Sequence, residues 1–143
     1  MPRLDLTLGN SLDEVGRMLD ELESFGQRCA IAEAVVMQLG LCLDELVTNI
    51  VSYGWDEPGE HMITVSLDID DQRVLRAELI DDGRPFDPLE RETPDLELPL
   101  DQRPIGGLGI HLVRVFTDQV AYCRADGRNR LTLVRALDDA ASP

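Results

Sequence analysis

Between Ile31 and Tyr53, apolar residues recur at Ile31, Val35, Leu39, Cys42, Leu46 and Ile50, with others between them, until Gly54. That spacing predicts a long helix closed by the glycine. Its apolar side takes in much of the circumference, so the helix should be largely buried. Glu45 and Asn49 break the pattern four residues apart and therefore share one helical face. A polar face on such a helix should line something. A carboxylate there can take a proton from an attacking hydroxyl, and the amide oxygen one turn on can ligate a hard cation such as Mg²⁺.

The remaining pattern supplies a sheet and two further helices. Arg3 to Leu8 alternates at period two and ends at Gly9-Asn10, as a strand with one buried face does. Ser11-Leu12-Asp13-Glu14 has the form of a capping box, and Leu12, Val15, Leu19, Leu22 and Phe25 follow at helical spacing until Gly26. Met62–Asp70 and Arg73–Asp81 read as a hairpin joined at Asp70-Asp71-Gln72. A helix over about 107–117 precedes strands near 119–124 and 131–137, linked by a turn at Asp126-Gly127-Arg128-Asn129. The expected architecture is α/β in the α+β sense: a two-layer sandwich of a mostly antiparallel sheet with helices on one face. A chain of 143 residues, 43% apolar, suits one domain, so residues 1–143 read as a single unit.

Two further segments bear on chemistry. Asp81 follows Leu79-Ile80 and precedes Asp82-Gly83, so its carboxylate emerges where a strand meets a tight turn and can accept a hydrogen bond from an exocyclic amine. Gly106-Gly107-Leu108-Gly109 runs straight into an apolar helical pattern. Glycines let the backbone approach an anion closely, and the free N–H groups of a helix start point at it. Between Arg84 and Pro104 the periodicity stops, and five of the chain's eight prolines lie there among Asp87, Glu90, Glu92, Asp95, Glu97 and Asp101. A stretch this long is functional or mobile in a compact domain, and residues 84–105 read as a mobile lid.

Charge narrows the classes of function. The net charge of −15 repels nucleic acid and anionic membrane, so neither is expected as a direct partner. All thirteen basic residues are arginine, which excludes a P-loop lysine, a eukaryotic-type kinase strand lysine and Schiff-base chemistry. Backbone amides, a metal ion and arginines must then hold any phosphates. Cys29, Cys42 and Cys123, odd in number and set among apolar neighbours, are expected to be buried free thiols in a reducing compartment. With only His61 and His111 available, a His/Cys zinc site is not expected. Neither an export leader nor a membrane span is read, which makes the cytoplasm the expected location.

In this order and on these elements, three motifs resemble those of the GHKL (Bergerat-fold) ATPase superfamily of gyrase, histidine kinases, mismatch-repair proteins and a heat-shock chaperone. Glu45-Leu46-Val47-Thr48-Asn49 is similar to its N box, Asp81 to Pro88 to its adenine-binding box, and Gly106 to Gly109 to its phosphate-binding box. Within the superfamily the chain looks most like the stand-alone bacterial anti-sigma regulatory factors, which are serine-protein kinases. The resemblance implies ATP and Mg²⁺ as ligands, with Glu45 as general base, Asn49 as Mg²⁺ ligand and Asp81 as acceptor of the adenine amine. It implies further that Gly83 lets the backbone pass close to the base, and that Gly106, Gly107, Leu108 and Gly109 cradle phosphate. Thr132 would lie near the adenine, and Arg103 would bring positive charge to the γ-phosphate. Two departures stand out: Pro85 replaces a second glycine in the adenine box, and Ser52-Tyr53-Gly54 replaces a histidine-glycine pair after the N box.

The implied function is a partner-switching kinase that phosphorylates a serine on a STAS-type anti-anti-sigma antagonist and otherwise sequesters a sigma factor or another target. Homodimerisation is common in the resembling family. One alternative is a non-catalytic module in which nucleotide only shapes a protein-binding surface. Another is an acidic α/β interaction domain with no ligand, whose glycines are turns.

Overall fold

The computed structural model describes residues 2–57, 59–90 and 107–137, and the structural statements below concern these. The order is β1 (Arg3–Gly9), α1 (Asp13–Arg28), α2 (Glu33–Tyr53), β2 (Met62–Ile69), β3 (Val74–Asp81), a 3₁₀ turn at Pro88–Glu90, α3 (Gly107–Phe116), β4 (Gln119–Ala125) and β5 (Arg128–Ala136). The five strands form one sheet in the order β1-β2-β3-β5-β4, every pairing antiparallel. Helices and sheet make the two-layer α+β sandwich that the sequence pattern implies.

Register explains the core. Leu6, Val65, Leu79, Leu131 and Tyr122 form one row across the sheet, and Leu4, Leu67, Ala77, Leu133 and Val120 the next. Because side chains alternate between faces, these rows lie on one side, and with Leu22, Phe25, Leu39, Leu43 and Val47 of the helices they build a single core. The row on the other side of Leu6 runs Leu8, Ile63, Asp81, Asn129, Arg124, so the apolar face turns polar at one end of the sheet.

Several expectations need correction. α1 does not stop at Gly26 but continues to Arg28; a Cβ on Gly26 would come 2.5 Å from Val36 Cγ2, so this glycine permits close helix packing rather than ending the helix. The capping box does not close around Ser11 either. The helix starts after Leu12, the Ser11 hydroxyl accepts from Asp13 N at 3.3 Å, and Glu14 Oε1 accepts from Gly9 N at 3.0 Å. β5 begins at Arg128, leaving Asp126-Gly127 as a two-residue turn with φ of 54° and 75°. Positive φ at both positions is what a type I′ hairpin requires. All three cysteines are free, but only Cys42 is buried and Cys123 is exposed. Burial pushes the Cys42 thiol up to about 11.

α2 is the central helix, and by length and composition alone it would be apolar enough to cross a membrane. In the fold Leu39, Cys42, Leu43 and Val47 are sealed inside, yet Met37 and Leu41 are exposed. The expected burial is therefore met on one side only.

Candidate functional site

The C-terminal half of α2 faces the polar end of the sheet across a small cavity of about 30 Å³. Leu46, Ile50, Leu79 and Leu131 give it apolar walls, Tyr53, Tyr122 and Phe86 bring aromatic rings, and Asn49, Asp81, Arg84 and Asn129 bring polar groups. Such proportions suit a flat apolar ligand with a few polar edges.

Asp81 is 5% exposed at the end of β3. Its Oδ1 accepts from Gly83 N at 2.8 Å and from Asn129 Nδ2 at 3.0 Å. Both donors end on the same oxygen. Asp81 itself lines the cavity.

Asn129, 7% exposed, is the residue that sequence reasoning missed. Directly across from Asp81 in the sheet, it donates to Asp81 Oδ1 and, at 2.8 Å, to Arg84 O. Its Oδ1 accepts from Phe86 N at 3.3 Å and from the Tyr122 hydroxyl. One amide thus ties together β3, β4, β5 and the loop after β3, with its hydrogen-bonding capacity filled. The signal was present in the sequence: Asn129, Leu131 and Leu133 alternate, which places a polar residue at the head of a core-facing row.

That loop is pinned from several sides. Arg84 N donates to Gly54 O at 2.8 Å, and Arg124 Nη1 donates to Gly83 O at 2.7 Å. The Arg84 guanidinium pairs with Asp56. Gly83 is required by this closeness, because a Cβ on it would stand 2.7 Å from Gly54 O and 2.9 Å from Asp81 Oδ1. Its visible role is to let the loop meet the end of α2. Arg114 Nη2 reaches Leu89 O at 2.7 Å. Within the expected 84–105 lid, Arg84, Phe86 and Pro88 line the cavity; the part from residue 91 lies outside the described residues.

The other candidates divide. Asn49 lines the cavity. Glu45, half-buried, stands one turn earlier, about 6 Å along the helix axis, outside the cavity wall. Gly107, Leu108 and Gly109 form the first turn of α3, where backbone N–H groups have no partner within the helix. Gly106 and Arg103 lie outside the described residues. Thr132 is a correction: it alternates with the buried Leu131 and Leu133, so period two places it on the opposite face of the sheet, beside Glu78 and Ala121. Asn129, not Thr132, is the polar neighbour of Asp81.

The model of the histidine kinase-like ATPase domain matches residues 8–135. The chain belongs to that family. Its domain is an ATP-binding one, and the apolar cavity with a buried carboxylate at one end is consistent with such a ligand. The serine/threonine-protein kinase BtrW of Bordetella bronchiseptica is 38% identical over 96 residues, which are 66% of each protein. Among solved structures, the RsbU and RsbW domains of a Mycobacterium tuberculosis protein match with a TM-score of 0.70 at 16% identity, over 96% of this chain and 33% of that one. The histidine kinase domain of a blue-light activated kinase from Erythrobacter litoralis gives 0.58 at 16% identity, over 88% and 60%. These two likenesses establish the shared GHKL-like fold, and this chain spans only about a third of the mycobacterial one.

Proposed function

We propose that the protein is an ATP-dependent protein-serine kinase of a partner-switching system, acting in the cytoplasm. One observation carries this reading: a buried carboxylate, Asp81, ends an apolar cavity whose other wall presents Asn49, with Glu45 one turn beyond it. The family supplies the ATP, and the similarity to a serine/threonine-protein kinase supplies the protein hydroxyl as acceptor.

In this mechanism Asp81 Oδ2 accepts a hydrogen bond from the adenine amine while Leu46, Ile50, Leu79 and Leu131 cover the ring. Mg²⁺ is usually held by few protein ligands together with water and phosphate oxygens. Asn49 would provide such a ligand, and the ion would neutralise phosphate charge. Glu45 takes the proton from a serine hydroxyl as its oxygen bonds to the γ-phosphorus; the bond to the β–γ bridging oxygen breaks, and ADP leaves. Backbone N–H groups at the start of α3, Gly107 to Gly109, would receive phosphate oxygens, and the resemblance adds Gly106 to that cradle and the Arg103 charge at the γ-phosphate. Phosphoryl transfer asks mainly for alignment and charge neutralisation, which these groups provide. The acceptor is a serine on a STAS-type antagonist; phosphorylation releases this protein to hold a sigma factor or another target.

One observation favours a second reading, a nucleotide-dependent binding module without transfer: Glu45 stands outside the cavity wall. Calorimetry with ATP and Mg²⁺, paired with a transfer assay on a STAS-domain protein from the same organism, separates the two. Wild type and Glu45→Gln should bind nucleotide, Asp81→Asn should not, and only wild type should form phosphoserine. Transfer retained by Glu45→Gln removes it as the base. Binding without transfer by wild type supports the module.

A further inference from the structure

The outer side of the N-terminal half of α2 is apolar and uncovered. Met37 is 62% exposed and Leu41, one turn on, 46% exposed. They border an open groove of about 590 Å³ between α1 and α2, floored by Leu19, Leu22 and Val36. Gly40 lines it as well, where a Cβ would make ordinary contact with Leu19 Cδ2 at 3.4 Å. Two large apolar side chains exposed one turn apart beside an open groove offer a partner apolar surface to bury. Its rim is acidic: Glu23 of α1 and Glu33 and Asp44 of α2 line the groove, and no basic side chain among the described residues does.

This charge decides between occupants. A second copy would set two acidic rims against each other in a protein of net charge −15, and like charges across an interface are costly. Segments 91–106 and 138–143 of this chain are themselves net acidic. An anionic membrane is repelled for the same reason. What fits is an element apolar on one face and basic at its edges. Glu33 and Asp44 are eleven residues apart, about 16 Å along the axis, which is the length of about three helical turns.

We propose that this groove docks an amphipathic helix of a partner protein, its apolar stripe against Met37 and Leu41 and its arginines or lysines, about three turns apart, against Glu33 and Asp44. The groove is formed by the N-terminal half of α2 and the cavity by the C-terminal half, so the proposal stands apart from the nucleotide reading.

The probe is a synthetic helical peptide with leucines at i, i+3, i+4 and i+7 and arginines elsewhere, titrated into the isotopically labelled full chain and followed by amide NMR shifts. Shifts should gather on α1 and the first half of α2. Met37→Gln with Leu41→Gln should weaken binding about tenfold or more, whereas Val115→Gln, an exposed control on α3, should leave it unchanged. Glu33→Gln with Asp44→Asn should weaken it about threefold and flatten its salt dependence; this second pair tests the proposal if the first impairs folding. Scattered shifts, equal affinity for the Met37/Leu41 variant, or equal binding of a peptide with glutamates in place of the arginines would overturn the proposal. So would a wild-type dimer in sedimentation that Met37→Gln with Leu41→Gln converts to monomer, because the occupant would then be a second copy.

Discussion

From Leu46 to Tyr53, α2 looks across a cavity at Asp81 and Asn129, whereas around Met37 and Leu41 its outer side borders a groove lined by Leu19, Leu22 and Val36 together with Glu23, Glu33 and Asp44. The first surface is fixed by hydrogen bonds, four of them on Asn129 alone. The second is apolar contact and an acidic rim. One helix of fairly uniform apolar character thus serves two different surfaces, because what lies opposite each half differs. Directional bonds position a ligand, while an apolar groove rewards burial of whatever shape fills it.

The sharpest test of this contrast is stability along α2 itself. Leu39→Ala, at a fully buried position, should cost about 2–5 kcal/mol in urea unfolding, against less than about 1 kcal/mol for the exposed Leu41→Ala. Equal costs would mean that the outer stripe is already part of the core. Next in size is ligand binding: Asp81→Asn should weaken ATP binding about 100-fold, while Met37→Gln with Leu41→Gln leaves it within about twofold. A shared loss would show that the two halves are coupled. Asn129→Ala strands partners in two strands and the loop, and should cost about 1–3 kcal/mol. Tyr122→Phe, which removes only one of the four bonds, should cost about 1 kcal/mol or less, and the pair should be non-additive in a double-mutant cycle.

The smallest effect concerns the start of α1. The Arg17 guanidinium, and after it the Gly9 amide, lower the Glu14 carboxyl from 4.5 to about 2. A depressed folded value contributes stability that is present above the unfolded value and lost as pH falls from about 4.5 through 2. Glu14→Gln should therefore flatten the acid limb of the unfolding curve in that window and leave pH 7 behaviour of both α2 surfaces unchanged. An unaltered acid limb would show that the pair does not hold in solution.

Part of the cavity was legible in the chain. Asn49 and Asp81, which line it, stood out as polar residues breaking strong apolar patterns, and the strands by period-two alternation. Thr132 was misplaced because a motif position says nothing about sheet face. Counting alternately from Leu131 corrects it, but the strand's start at Arg128 was hidden in a turn-like Asp-Gly-Arg-Asn run. Gly26 looked like a stop because a glycine late in a helical pattern signals either an end or a close contact, and only Val36 across from it decides which.

The sequence by itself determined the elements, their buried faces and the local chemistry, since all three follow from periodicity and residue type within a short window. Tertiary structure alone decided which residues face each other. Pairing β3 with β5 sets Asn129 opposite Asp81 from 48 residues away, and the packing of α1 against α2 decides which side of an apolar helix stays uncovered. These depend on register and on contacts between distant segments, which no local pattern encodes.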